Sequence, residues 1–230
     1  MSAKSLAGIL VASCCALPLI AAAEQGDWLF RAGAHLIDPK SDNLENVLSP
    51  SPSEPSGLNL EVDDATGFTF NITYMVTENW GVELLAAAPY THDIALSGIG
   101  NIAETKHLPP TLSVQYHFLP NGNFRPYVGA GINYTTFFDE DFSSDFLAAV
   151  ELPADTRLEL DDSFGASVQL GADIAFNDRW FVNVDVRWFD IDTDADVVIP
   201  GPDGGRLGLG AVEIDPIAYG ITVGYRFAAP

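Results

Sequence analysis

Residues 164–176 have the sequence FGASVQLGADIAF, in which apolar side chains occupy every second position. The even-numbered positions are Phe, Ala, Val, Leu, Ala, Ile and Phe, whereas the odd-numbered positions are mainly Gly, Ser, Gln and Asp. An alternation of period two places all the apolar side chains on one face of a β-strand. The stretch therefore predicts a strand with one apolar face and one small, polar face.

The same alternation recurs along the chain, in the segments 28–37, 68–74, 80–88, 111–118, 127–134, 180–187 and 217–227. Short connections, near 76–79, 119–123 and 177–179, alternate with long ones, near 38–63, 91–107, 139–162 and 192–214. Eight such strands with alternating connection lengths are typical of outer-membrane barrels. We therefore predict an all-β fold, an eight-stranded antiparallel up-and-down transmembrane β-barrel with short periplasmic turns and long extracellular loops.

The first 23 residues have the features of a secretory signal peptide. Lys4 precedes an apolar segment, 6–20, and the small residues Ala21–Ala23 follow it as a cleavage site. We predict a signal peptide at 1–23 and an outer-membrane barrel domain at 24–230, with lipoprotein processing at Cys14 as the alternative. Cys14 and Cys15 are the only cysteines, so the chain after cleavage at Ala23 offers no thiol for a disulfide or a metal.

The polar face of the alternating segments indicates which way the apolar face points. It is rich in Gly, Ser, Thr, Asn and Gln, which fit the narrow interior of an eight-stranded barrel better than a surface in water. Aromatic residues also cluster beside the short turns and the barrel ends, as in a girdle at a membrane interface. They are Trp28, Phe30, Tyr74, Trp80, Tyr116, Phe118, Phe124, Phe176, Trp180, Tyr225 and Phe227. We therefore expect the apolar face to meet lipid.

Acidic residues concentrate in the long connections. The chain has 32 Asp and Glu against 10 Lys and Arg, and these four segments hold 22 of the acids and four of the bases. Such loops fit a cation-attracting vestibule, divalent bridging to lipopolysaccharide, or simple solvation in a salty medium. The same charge excludes nucleic acid as a partner, because phosphate binding needs a basic patch.

Several motifs closely resemble the outer membrane protein W family. The most specific is RPYVGAGINYTTFF at 125–138. Shorter matches are VELLAA at 82–87, HLPPT at 107–111, DIDT at 190–193 and GYRF at 224–227. The resemblance spans 30–227 and implies a barrel in the outer membrane of a Gram-negative bacterium that passes small hydrophobic molecules. Such barrels usually end on the aromatic residue that the assembly machinery recognises, whereas Ala228-Ala229-Pro230 follow Phe227 here. We expect recognition through Tyr225 and Phe227.

Alternation also assigns residues to the lumen. Near the short turns the inward positions carry three bases and three acids: Arg31, Glu83, Asp173, Asp185, Arg187 and Arg226. Because an unpaired buried charge is unfavourable, we predict that these side chains pair in a plug that closes the periplasmic half. Toward the loops the inward positions become apolar, with Leu85, Ala87 and Phe189, and Trp188 joins them if a bulge near the rim turns it inward.

An apolar outer lumen above a charged plug favours a passive channel for small hydrophobic molecules. A solute would leave sideways through the wall or when the plug opens, and the sequence does not separate these routes. One alternative is a non-conducting structural or surface-recognition barrel with acidic loops. The other is a soluble ligand-binding barrel of lipocalin type.

No motif indicates an enzyme or a cofactor. The four histidines lack metal-ligand spacing, and Ser113 and His117 share a face through ordinary alternation. Asp190, Asp192, Asp194 and Asp196 alternate and would place four carboxylates on one side, which makes a calcium site conceivable. Because Ala195 stands where a calcium loop would need glycine, we favour a hydrated acidic rim without metal.

Overall fold

The computed structural model describes residues 24–40, 59–202 and 204–229, so the predicted signal peptide lies outside the described residues. The described chain contains one short helix, α1 (Ser144–Ala149), and otherwise strands, turns and loops. The strands are β1 (Trp28–Asp38), β2 (Leu60–Val62), β3 (Ala65–Met75), β4 (Trp80–Ala87), β5 (Tyr90–Leu96), β6 (Gly100–Leu108), β7 (Thr111–His117), β8 (Phe124–Phe142), β9 (Arg157–Leu160), β10 (Ser163–Ala175), β11 (Trp180–Phe189), β12 (Asp192–Ile199), β13 (Gly205–Glu213) and β14 (Ile217–Phe227).

Eight of these strands close into an antiparallel barrel. Their order around the wall is β1, β3, β4, β7, β8, β10, β11 and β14. The last strand closes on the first, with Trp28 opposite Phe227 at one end and Asp38 opposite Ile217 at the other. The predicted eight-stranded up-and-down barrel is therefore confirmed.

The apolar side chains face outward. Phe70, Val184 and Ile221 are exposed, whereas Thr69 and Gln169 on the opposite parity are buried in the lumen. A soluble barrel would show the reverse arrangement, because its apolar face would form the core. An exposed apolar band around a polar interior is the arrangement of a transmembrane barrel.

The aromatic residues predicted to form a girdle pair across neighbouring strands at the short-turn end. The ring centroids of Trp28 and Tyr74 lie 4.8 Å apart, and those of Trp80 and Tyr116 lie 4.9 Å apart. On β11 and β14, next to β1, Trp180 and Tyr225 are also 4.9 Å apart. Rings with an apolar body and a polar tip suit the boundary between hydrocarbon and water.

Much of the chain predicted as long loops forms strands beyond the barrel. The hairpin β5–β6 pairs with the upper part of β8, while β9 and β13 flank β12. Residues 91–107 do form the predicted long connection between the barrel strands β4 and β7, but this connection is itself a β-hairpin. Its acids concealed the two strands in the sequence, because Asp93 and Glu104 lie on the exposed face of a hairpin whose other face is buried. Most of the first predicted loop, residues 41–58, lies outside the described residues.

The short helix α1 begins after Ser143, whose hydroxyl accepts a hydrogen bond from the backbone N–H of Phe146 at 3.2 Å. Such a cap satisfies one of the free N–H groups of the first turn. Leu147 is the buried residue of the helix. In the described ranges, no helix is both long enough and apolar enough to cross a membrane.

Glycines on the inner face leave room for two large inward rings. A Cβ on Gly171 would lie 2.5 Å from the ring of Tyr127, and a Cβ on Gly224 would lie 2.2 Å from the ring of Phe181. Both distances are too short for any side chain larger than hydrogen. Tyr127 and Phe181 can therefore fill the lower lumen, in which both are buried.

Candidate functional site

A buried network of ion pairs centred on Glu83 lies inside the lumen. Arg187 donates to this carboxylate at 2.7 Å, and Arg31 approaches it from the other side at 3.7 Å. Gln115 and Gln169 donate to the same two oxygens, at 2.8 and 3.1 Å. Because water is excluded here, Glu83 is stable as an anion only while these partners remain.

The network continues from both arginines to the other walls of the barrel. The guanidinium of Arg31 donates two parallel hydrogen bonds to the carboxylate of Asp173, at 3.0 and 2.9 Å. This two-point geometry strengthens and orients the pair. Arg187 donates to Asp185 at 2.7 Å, and Asp185 also meets Nε2 of His35 at 3.1 Å. One chain of contacts thus crosses the lumen and joins β1, β4, β10 and β11.

Arg226 is also buried and ion-paired, but it does not share this chain of contacts. It lies nearer the short-turn mouth, where it meets Asp27 at 3.3 Å and donates to the backbone carbonyl of Asp178 at 3.0 Å. Asp27 also accepts from the backbone N–H of Ala229 at 2.9 Å. The two residues after Phe227 are thereby held against the start of β1.

An apolar layer lies directly above the ion pairs. Leu85 follows Glu83 by two positions on β4, and Phe189 follows Arg187 by two positions on β11, so both point inward. They pack in one buried cluster with Ile37, Ala65, Tyr90, Ile191 and Ala218, and the half-buried Ala87 packs against it. Three of the predicted apolar lumen residues, Leu85, Ala87 and Phe189, therefore lie together.

Trp188 is not part of this layer. The pairing of β11 with β10 and with β14 runs to Trp188 without a shift in register, so the bulge that would turn it inward is absent. Its partners across the ladder are Val168 and Ile217, of which Val168 is an exposed residue of the outer face. The assignment of Trp188 to the lumen is therefore corrected.

Above the apolar layer, the strands beyond the barrel surround a cavity of about 760 Å³. Its walls are mainly aliphatic and aromatic, with Leu96, Ile102, Leu158 and Phe146 among them. Among the lining residues in the described part of the chain, none is Asp, Glu, Lys or Arg. Pockets that bury small molecules have this size and a predominantly apolar lining.

Sequence reasoning missed most of this cavity, because its walls lie in segments interpreted as loops. A signal was present: Leu158 and Leu160 alternate with the polar residues Arg157, Glu159 and Asp161. The two glutamines that donate to Glu83, Gln115 and Gln169, were also not predicted, because a neutral amide carries no charge that marks it as a partner of an ion.

The four alternating aspartates do not form one set. Asp190 and Asp192 lie with Asp215, their carboxylate oxygens within 4.8 Å of one another, whereas Asp196 accepts from Arg206 at 2.7 Å. A register shift between Ala195 and Asp196 interrupts the alternation that would have aligned them. Partial loss of solvation and the neighbouring carboxylates Asp190 and Asp215 raise the pKa of Asp192.

Comparison with known proteins identifies the family. Residues 24–227 match the OmpW family model. Outer membrane protein W of Escherichia coli K12 is 41% identical over 89% of this chain and 90% of its own, and that of Vibrio cholerae serotype O1 is 39% identical over 97% and 99%. The crystal structure of OprG from Pseudomonas aeruginosa is similar, with a TM-score of 0.77, 36% identity, and coverage of 90% of this chain and 98% of that one. With its closed barrel and apolar outer face, this chain belongs to the OmpW family and lies in the outer membrane of a Gram-negative bacterium.

Proposed function

We propose that this protein is a passive, non-enzymatic channel that admits small hydrophobic molecules from the loop side of the outer membrane. The apolar cavity of about 760 Å³ above the barrel carries this proposal. Apolar surface that leaves water for such a cavity gains about 25 cal/mol per Å². An ion would lose its hydration there without gaining a partner of opposite charge.

The closed lumen below the cavity is consistent with selection against ions. Glu83, Arg31 and Arg187 fill the cross-section with fully or almost fully buried charges, so ions meet no wide aqueous path. A solute therefore leaves the cavity either through the barrel wall or when these ion pairs rearrange. Both routes begin from the same apolar cavity.

Filling the cavity should block uptake. We expect Ala103→Trp to slow the entry of naphthalene about tenfold or more, because Ala103 is buried in the cavity wall and an indole would occupy much of the free space. The assay follows naphthalene reaching cyclodextrin trapped inside vesicles with lipopolysaccharide in the outer leaflet. Protein-free vesicles give the baseline, because apolar solutes also cross bilayers unaided.

Glu104→Trp is the matched control for this variant. It introduces the same ring one residue away, on the exposed face of β6, and should leave uptake near the wild-type rate. Equal uptake by folded Ala103→Trp and wild type would contradict a route through the cavity.

A non-conducting surface-recognition barrel is the second candidate, and the filled lumen favours it. In that case folded wild-type protein would not raise uptake above the protein-free baseline. Its acidic loop end would then meet lipopolysaccharide through bridging divalent cations.

We also propose that the outer-membrane assembly machinery recognises Tyr225 and Phe227. Their rings pack together at 4.7 Å, and Phe227 is exposed on the outer face at the end of β14. A partner at the short-turn end could therefore reach Phe227, although two more residues follow it in the described chain.

A further inference from the structure

The hairpin β5–β6 brings three polar side chains to the wall of the apolar cavity. His92 lies opposite Thr105, and His107 lies opposite Tyr90. The ring of His107 stacks on His92 with centroids 4.9 Å apart and on Tyr90 with centroids 5.3 Å apart. His92, Thr105 and His107 are all buried and all line the cavity.

This cluster has hydrogen-bonding capacity that the described protein does not use. Among the described residues, the buried hydroxyl of Thr105 has no hydrogen-bond partner and the imidazole of His107 makes no hydrogen bond. His92 uses only Nδ1, which meets the backbone carbonyl of Asp63 at 2.7 Å. Buried polar groups are normally paired, so their concentration on one cavity wall points to a polar ligand group.

The imidazole of His107 is neutral under ordinary conditions. Burial, aided by the neighbouring His92, lowers the pKa of His107 to about 3. A neutral imidazole offers one N–H donor and one nitrogen acceptor. Stacking occupies the ring face, whereas a hydrogen bond to either nitrogen is made in the ring plane, and His107 lines the cavity.

We propose that His107, His92 and Thr105 form a polar subsite that selects small aromatic solutes carrying one neutral hydroxyl or N–H group over the corresponding hydrocarbon. The subsite rests on the proposed function, since the solute must first enter the cavity. A flat solute also suits the wall that these rings share with Phe137, whose centroid lies 6.1 Å from that of His107. Ions are disfavoured because the described lining carries no Asp, Glu, Lys or Arg.

The test compares 2-naphthol with naphthalene in the same vesicles with trapped cyclodextrin. The measured quantity is the ratio of the two protein-dependent rates, each corrected for protein-free vesicles. His107→Phe keeps a stacking ring but removes both nitrogens, and Thr105→Val keeps the shape but removes the hydroxyl. Each should lower the naphthol-to-naphthalene ratio by about two- to tenfold, the effect of one lost hydrogen bond.

Thr91→Val is the matched control, because Thr91 lies on the exposed face of the same hairpin. It should leave the ratio unchanged, and an equal fall in this variant would overturn the subsite. If neither solute enters faster than through protein-free vesicles, the channel itself fails. If naphthalene entry is accelerated but the ratio is the same in wild type, Thr105→Val and folded His107→Phe, the channel stands and the polar subsite is refuted.

Discussion

Replacing Glu83 by leucine should lower the free energy of unfolding by about 3–5 kcal/mol, the range for breaking a buried ion pair by removing one partner. Glu83 is the shared partner of Arg187 and Arg31, at 2.7 and 3.7 Å, and both guanidinium groups are buried. In this variant Arg187 keeps Asp185 and Arg31 keeps Asp173, but the carboxylate between the two arginines is lost. Denaturant titration in lipid vesicles, followed by tryptophan fluorescence, measures the change.

Glu83→Gln is the control for this experiment. It removes the charge but keeps one side-chain oxygen that can accept from Arg187, and Arg31 keeps its two hydrogen bonds to Asp173. Because fewer buried donors lose their acceptor than in Glu83→Leu, Glu83→Gln should be the more stable of the two variants. A Glu83→Leu variant as stable as wild type would contradict a plug held by paired charge.

Arginine at Val184 should destabilise the protein by about 2–4 kcal/mol, the cost of a cation at the bilayer midplane on a barrel surface. Val184 is exposed in the middle of β11, beside Ala172 on one neighbouring strand and Ile221 on the other. The same substitution at Leu119, exposed in a short turn, should cost at most about 1 kcal/mol because the side chain lies near the interface.

Both arginine variants are measured by the same unfolding titration. Equal costs at Val184 and Leu119 would show that the outer face does not meet hydrocarbon at mid-barrel. The difference between the two positions therefore tests the orientation of the barrel wall independently of its lumen.

Local chemistry was sufficient to predict the barrel. Alternation in segments such as 164–176 is a short-range signal, and one buried face fixes the register of each strand. Parity alone assigned Arg31, Glu83 and Arg187 to the lumen, and in the structure all three are buried and form ion pairs.

Other features depend on partners distant in sequence. Arg226 shares the inward parity, but its position along the barrel axis brings it to Asp27, which lies before the first strand. The direction in which the Trp188 side chain points depends on whether β11 has a bulge, and that depends on the pairing of β11 with both neighbouring strands. The cavity walls alternate like the barrel strands but carry acids on their outer face, so composition concealed the strands.

Side chains fill the barrel interior, so the space for a solute lies in the cavity above it. The interior of eight strands is only wide enough for side chains, and Tyr127, Phe181 and the ion pairs occupy it here. For a solute that enters from the loop side, the strands beyond the barrel are therefore the first surface that can select it. In this chain those strands provide an apolar cavity with one polar wall.

The central claim is that an apolar solute lodges in the cavity above the plug. Its most direct test is a crystal structure of the protein soaked with 1-bromonaphthalene, with bromine located by anomalous scattering. We predict a bromine peak inside the cavity, near Leu96, Ile102 and Leu158. Bromine found only on the lipid-facing surface, around residues such as Phe70 and Ile221, with none in the cavity, would contradict it.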